Sequence, residues 1–273
     1  MATAKKKEEA KEVAVIEEAG AVGALDYGDD AGSGFENQTS ADVLIPFLNV
    51  LQALSPACQG EDSTARPGMI QDSATGETYS GKRGLLFVPA MTQHLFNEWT
   101  PRDAGGGLVG TFLPGDEAVE RAMKHSKTRI GKIKSENGTE FVETFNIYGV
   151  VADEDRSPVG MAVISCSSTK IKPYRQLMTR LQKFTVLSGG RKILPPLFAH
   201  LLRLKTTEEK RPAGVSYNWV FEGAVDNDLA KGLLSPNDPC FLQAKKCKEL
   251  VLEGKVRTEG GGSSEDGEDN APF

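Results

Sequence analysis

The chain has 273 residues, of which 39% are hydrophobic and 26% charged, a globular composition that suffices for one large or two small cores. It contains no run of about 18 apolar residues. The first eleven residues are basic and then acidic, without the apolar segment of a signal peptide. We therefore expect no membrane association and a cytoplasmic location. Four scattered cysteines are too few for a disulfide framework.

Charge is distributed unevenly along the chain. Residues 1–42 carry 4 Lys and 10 Asp or Glu, and residues 256–273 carry one basic and five acidic residues. By contrast, residues 160–211 contain eleven basic and two acidic residues, and residues 121–134 contain six basic and none acidic. Such runs are usually solvated surface. In an acidic protein, however, two concentrated basic blocks also fit a patch that binds phosphates.

Composition divides the chain into three parts. Residues 1–40 and 256–273 are too polar to offset the entropy of ordering, so we expect two disordered acidic ends. Residues 41–255 form the predicted domain. At its start, the apolar segment Ala41–Leu54 predicts a short helix before the break at Ser55-Pro56.

Apolar runs between turn residues predict five strands in the domain. Leu177, Met178, Leu181 and Phe184 recur at helical spacing and predict a helix over Pro173–Leu187. Asp238-Pro239 predicts the start of a last helix that runs towards Gly254. This order indicates a mainly β fold with peripheral helices (α+β), an OB-fold-like five-stranded barrel with long loops. The five predicted strands are Gly84–Ala90, Leu108–Leu113, Glu140–Val151, Val159–Ser168 and Val215–Val225.

The sequence contains no recognisable catalytic or cofactor site. Cysteines and histidines lack the spacing of zinc ligands, and no Ser or Cys has a paired base. We therefore expect no enzyme activity, no cofactor and no metal. Asp153, Glu154 and Asp155 could hold a divalent ion for nuclease chemistry, but their neighbours Ser157 and Pro158 favour a polar turn.

Three aromatic residues are candidate platforms for stacking unpaired bases. Tyr148 alternates with Phe145 and Ile147 and shares its face with Thr144 and Asn146, which predicts an exposed ring. Trp219 lies on one face with Tyr217 and Phe221, a pattern more typical of a core. Trp99 has no periodic apolar neighbours, so it is either a lid on the barrel or a base contact.

The chain ends in Ser264-Glu265-Asp266-Gly267-Glu268-Asp269-Asn270-Ala271-Pro272-Phe273. An acidic tail that ends in Pro-Phe resembles the interaction tips of bacterial-type single-stranded DNA-binding proteins, and phage counterparts also have acidic tails with a terminal aromatic. Ile45-Pro46-Phe47 and Tyr217-Asn218-Trp219 resemble the core of the phage proteins. Asn270-Ala271 departs from the bacterial pattern, in which an acid and a bulky aliphatic residue usually stand.

The resemblance implies a phage-encoded, non-enzymatic protein that binds single-stranded DNA without sequence preference in replication or recombination, in the host cytoplasm. Its tail would recruit partner enzymes through Glu268, Asp269, Pro272 and Phe273. The alternatives are a strand-annealing recombination mediator, a metal-dependent nuclease and a virion structural protein. Oligomeric state and the choice between DNA and RNA remain open. Beside the three aromatics, the predicted phosphate contacts are Lys127, Arg129, Lys132, Lys134, Lys170, Lys172, Arg175, Arg191 and Lys192.

Overall fold

The computed structural model describes residues 33–34, 44–59, 63–127, 132–212, 214–254 and 257–258. Contacts divide the chain into residues 1–38 and residues 39–273, and the fold below belongs to the second unit. The strands are β1 (Leu44–Ile45), β2 (Leu48–Val50), β3 (Ile70–Asp72), β4 (Thr78–Tyr79), β5 (Leu85–Trp99), β6 (Leu108–Phe112), β7 (Lys132–Lys134), β8 (Glu140–Ala152), β9 (Pro158–Ser167), β10 (Val186–Ser188), β11 (Arg191–Ile193), β12 (Leu202–Arg211), β13 (Gly214–Gly223) and β14 (Arg257–Thr258). The α-helices are α1 (Glu117–His125), α2 (Ile171–Lys183) and α3 (Pro239–Leu252).

The long antiparallel pair β5–β8 organises a seven-stranded sheet. Its two ends have different neighbours. At one end, the strand order is β13-β12-β5-β8-β9, and we call this region the base. At the other end, the order is β6-β5-β8-β7, and we call this region the arm. A β-bulge between Pro89 and Met91 lies near the junction of the two regions.

The base has Greek-key topology. β5, β8 and β9 follow one another as antiparallel neighbours, and β12 returns after α2 to pair with the opposite side of β5. Among the described residues, no pairing joins the outer strands β9 and β13. The protein is mainly β, as predicted, but the closed barrel is not confirmed.

The predicted helix over Ala41–Leu54 is wrong, because an extended segment occupies the space between the two outer strands. Phe47 forms a parallel bridge to Val163 of β9, whose backbone N–H donates to Pro46 O at 2.8 Å. At the other edge, the Gln52 side chain donates to Tyr217 O and accepts from Tyr217 N–H, both at 2.9 Å. The extended chain satisfies backbone groups of both strands, which a helix could not do.

Both faces of the base are buried. On one face, α2 and β2–β3 cover a core that includes Phe87 and Leu204. On the other face, α3 covers Val88 and Val150. The buried side of α3 consists of small residues, which allow the helix to lie close to the sheet; they are Cys240, Ala244 and Cys247.

Among the described residues, the arm has a helix on one face only. Val119 and Ala122 of α1 pack against Phe96, Ile133 and Phe141 in a separate small core. The helix α1 therefore does not cover the opposite face of the arm.

All five predicted strands are present, and β5 extends nine residues beyond the predicted end at Ala90. The other two predicted helices are also present, although the first of them ends at Lys183 and not at Leu187. The Asp238 carboxylate accepts from Cys240 N–H at 2.8 Å, as expected of a helix cap. The sequence pattern did not predict α1, β12 or the short strands β3, β4, β7, β10 and β11. Arg257–Thr258, which were assigned to the tail, pair with β1. No helix of the described chain is long and apolar enough to cross a membrane.

Candidate nucleic-acid interface

Strand register assigns side chains to the two faces of the arm. Directly paired residues of an antiparallel sheet point to the same face, and successive residues of a strand point to opposite faces. Trp99 pairs with Glu140, which pairs with Lys134 on its other side. Asn97 pairs with both Thr111 and Val142, and Val142 pairs with Lys132. We call this surface the arm face, defined by Asn97, Trp99, Thr111, Lys132 and Lys134.

The arm face carries an exposed aromatic ring next to cations. Trp99 is 40% exposed, and Lys134 is exposed two strands away in the same row. Neighbouring strands lie about 4.8 Å apart, so roughly 10 Å separates the two backbones. The α1 core lies on the other face, since it includes Phe96 and Phe141, which alternate with the arm-face residues.

The arm face also has polar groups in fixed positions. Thr111 Oγ1 donates to Asn97 Oδ1 at 3.0 Å, and Asn97 Nδ2 donates to Thr144 Oγ1 at 3.3 Å. Lys132 Nζ donates to Glu140 Oε2 at 2.5 Å. Within the described residues, Lys134 makes no ion pair, so its charge is available to an anion.

Lys127 belongs to the same end of the molecule. It is exposed and follows Ser126, whose Oγ accepts from Lys134 N–H at 3.4 Å. Arg129, the other predicted cation of this stretch, lies outside the described residues. The first basic block therefore contributes Lys127, Lys132 and Lys134 to one region with Trp99.

The α2 cations lie at the opposite face of the sheet. Arg175 donates to Glu143 Oε1 at 3.2 Å, and Glu143 is adjacent to the arm-facing Val142, so it points away from the arm face. Lys172 is exposed and has no ion pair among the described residues. Burial lowers the pKa of Lys170, which disfavours its charged form.

Arg191 and Lys192 are exposed on the hairpin β10–β11, which pairs with no other described strand. The described cations thus occupy opposite sheet faces and a separate hairpin. They do not form one continuous basic patch, whereas the two basic blocks of the sequence had predicted a patch that binds phosphates.

The predicted exposure of Tyr148 is wrong. Tyr148 is only 6% exposed, in the core beneath α3, and its hydroxyl donates to Gln93 Oε1 at 3.1 Å. Burial raises its pKa. Trp219 is 2% exposed within the other core, so in this conformation neither ring is open to a base. The alternation around Trp219 indicated a core, and that interpretation is confirmed.

The acidic triplet forms a turn between β8 and β9. Ser157 N–H donates to Asp153 Oδ1 at 2.7 Å. Glu154 accepts from Arg203 at 2.9 and 3.1 Å, and these bonds lower the pKa of its carboxyl. No cluster of three or more His, Cys, Asp or Glu suited to a metal ion occurs in the described part of the chain.

Two arm-face residues, Asn97 and Thr111, were not singled out from the sequence. The available signal was the alternation that continues beyond Ala90, where polar residues share one face with Leu95 and Trp99. Recognising the full length of β5 would have placed Asn97 on the face of Trp99, whereas the position of Thr111 depends on the pairing of β6 with β5. The four predicted tail residues, Glu268, Asp269, Pro272 and Phe273, lie outside the described residues.

The fold and surface together define a mainly β, Greek-key protein with an extended sheet that bears a tryptophan and lysines on one face. A family model described as the Pam3 phage gp34-like protein matches residues 13–257. This is most of the chain, so the protein belongs to that family, which supports a phage origin. No curated protein matches it, and no solved structure does.

Proposed function

We propose that this protein binds single-stranded DNA without sequence preference in phage DNA replication or recombination, and that the arm face contacts the strand. The observation that carries the proposal is the exposed Trp99 ring in one row with Lys134. An unpaired base stacks on an aromatic face, and cations beside it neutralise phosphates. We further propose that the acidic tail recruits partner enzymes.

Topology supports the proposal. The helix α2 lies between the third and fourth strands of the base, and the outer strands β9 and β13 are linked through residues 45–52. We interpret this as an OB-type barrel whose seam is filled by an inserted segment. OB folds bind oligonucleotides on the face of their second and third strands and through the loop between the first two.

Because α3 covers the base, we place the DNA-binding surface on the arm. It occupies the outer face of β8 at Tyr148 and Val150, the face that an OB ligand would otherwise use. The connection between the first two barrel strands, residues 100–139, includes β6, α1 and β7. No described helix covers the arm face, which we therefore interpret as the continuation of the expected ligand surface.

Tryptophan fluorescence gives a direct test. The chain has two tryptophans, and Trp219 is buried. A single-stranded oligonucleotide that stacks on the arm face should quench the emission of Trp99 alone. Trp99→Phe should remove that change, whereas duplex DNA should leave the wild-type emission unaltered. Unchanged emission on binding would contradict stacking at Trp99.

Charge reversal tests the cations. Lys127→Glu with Lys134→Glu should weaken binding and reduce its salt dependence, because log affinity falls by about 0.7 per neutralised phosphate for each unit of log salt. Trp99→Ala should cost about 1–3 kcal/mol of binding free energy. The matched control is Lys245→Glu with Lys246→Glu, two exposed lysines of α3. Equal losses in both charge-reversed proteins would reject the arm face as the site.

The tail has a separate test. Deletion of Ala271–Phe273 should abolish recruitment of a replication or recombination enzyme and leave strand affinity equal or higher, since an acidic tail does not attract phosphates. A large loss of strand affinity would contradict this assignment.

A further inference from the structure

Two exposed apolar surfaces lie on separate elements of the chain. The first is the hairpin surface, which comprises both faces of β10–β11: Leu187 and Lys192 lie on one face, Arg191 and Ile193 lie on the other, and Leu194 follows β11. The side chain of Leu187 is 74% exposed, and Ile193 and Leu194 are also exposed. An isolated two-stranded hairpin is marginally stable in water unless a third strand or another surface packs on it.

The second is the β6 surface, defined by Leu108, Val109 and Leu113, all of which are exposed. β6 pairs only with β5 among the described strands, which leaves its other edge unpaired. A free strand edge with exposed aliphatic side chains is a template for pairing with another chain.

The two surfaces have opposite charge. Residues 102–121 around β6 contain four acidic residues, Asp103, Asp116, Glu117 and Glu120, and two basic residues, Arg102 and Arg121. Residues 186–194 of the hairpin contain Arg191 and Lys192 and no acidic residue. Charges of opposite sign steer two such surfaces together and suppress contacts between like surfaces.

We propose that the hairpin surface of one molecule docks on the β6 surface of a second copy. A different surface of each partner is used, so the contact is heterologous and leaves one hairpin and one β6 edge free at the ends. Repetition of the contact generates a ring or an open chain of molecules. This inference goes beyond the proposed strand binding and does not depend on it.

The chemistry favours a protein partner over nucleic acid at these surfaces. Unpaired bases stack on aromatic rings, whereas the exposed side chains here are aliphatic. A second copy of the chain has a surface that fits each of the two: its basic apolar hairpin fits β6, and its acidic apolar β6 edge fits the hairpin.

Two blocked variants test the proposal. Leu187→Glu with Lys192→Glu blocks the hairpin surface, and Val109→Lys with Leu113→Lys blocks the β6 surface. The matched control is Leu242→Glu with Leu252→Glu, exposed leucines of α3 outside both surfaces. Circular dichroism and thermal unfolding verify that each variant is folded, as expected for surface substitutions.

Sedimentation velocity at concentrations up to about 1 mM provides the measurement. The mass of the wild type and of the control should rise with concentration, and less so at high salt. Each blocked variant should remain a monomer alone. An equimolar mixture of the two should give a species of two chains and none larger, because one functional hairpin and one functional edge remain.

Three results would overturn the proposal. The wild type could remain a monomer throughout, the blocked variants could associate like the wild type, or their mixture could contain only monomers. The last result would indicate that the hairpin surface and the β6 surface do not bind each other, and that each pair of substitutions disrupts a different contact.

Discussion

The base and the arm share the same two strands and differ in what covers them. In the base, β5 reads as a continuous apolar run from Leu85 to Val88, and both faces are buried beneath α2 and α3. In the arm, polar residues alternate with apolar ones, and the described helix α1 packs on one face. One strand can therefore be buried on both faces in one part and exposed on one face in another. The residue at which a continuous apolar run gives way to alternation marks where this change occurs.

The largest effect is expected in the base. Phe87 is fully buried, and Phe87→Ala should lower the free energy of unfolding by about 3–5 kcal/mol through lost burial and a cavity. Urea unfolding measures the change. Trp99→Ala in the arm should stay within about 0.5 kcal/mol of the wild type. Comparable losses at both positions would remove the distinction between the two regions.

Acid should weaken the base through His200. Burial lowers the pKa of this imidazole from 6.5 to about 4. Between these values, the unfolded chain binds a proton that the folded chain does not. The free energy of unfolding should therefore fall as the pH drops through this window, by up to about 3 kcal/mol. In His200→Leu the decrease should be smaller, and parallel pH profiles would contradict the assignment.

Two matched Ile→Val substitutions should distinguish local unfolding of the arm from unfolding of the whole domain. Ile133→Val in the arm and Ile164→Val in the base both remove one buried methylene, at about 0.5–1.5 kcal/mol each. Hydrogen exchange should show faster opening confined to arm amides in Ile133→Val, because the arm core is small. In Ile164→Val the loss should extend to β8, β9 and β12. Identical patterns would indicate one cooperative unit.

The smallest effect is expected at the turn between β8 and β9. Glu154→Gln should cost less than about 1 kcal/mol at neutral pH, because the pair with Arg203 is partly exposed to solvent. The folded-state pKa of Glu154 is lowered. The stability that Glu154 contributes is therefore present at pH values above the ordinary pKa of glutamate. It is lost as the pH falls through the lowered pKa of Glu154. The difference from the wild type should vanish in acid, and urea unfolding at both pH values tests this.

Sequence pattern predicted the strands and helices that depend on interactions between residues close together in the chain. The five predicted strands and two of the three predicted helices, including the Asp238 cap, follow from alternation, helical spacing and capping. β12 was missed because Leu202–Arg211 contains mostly charged residues and Thr after two leucines. Its place beside β5 depends on the pairing of Leu202 with Phe87 and Leu204 with Leu85, which no local pattern reveals.

The candidate site was only partly predictable, for the same reason. Tyr148 has the alternation of an exposed residue, but α3, about ninety residues later in the chain, covers it. Trp99 could be identified as unusual, whereas its exposure depends on the length of β5. The separation of the α2 cations from Lys132 and Lys134 follows from strand register, which charge counting cannot provide.

The side chain of Gln52 has one further consequence. Its carboxamide presents a hydrogen-bond donor and an acceptor to Tyr217 in the way that a peptide group of an adjoining β-strand would. Asparagine is one methylene shorter, so it should not reach both atoms without movement of the main chain. We therefore expect relatives of this protein either to retain glutamine at this position or to replace the contact with a longer β2 that pairs directly with β13.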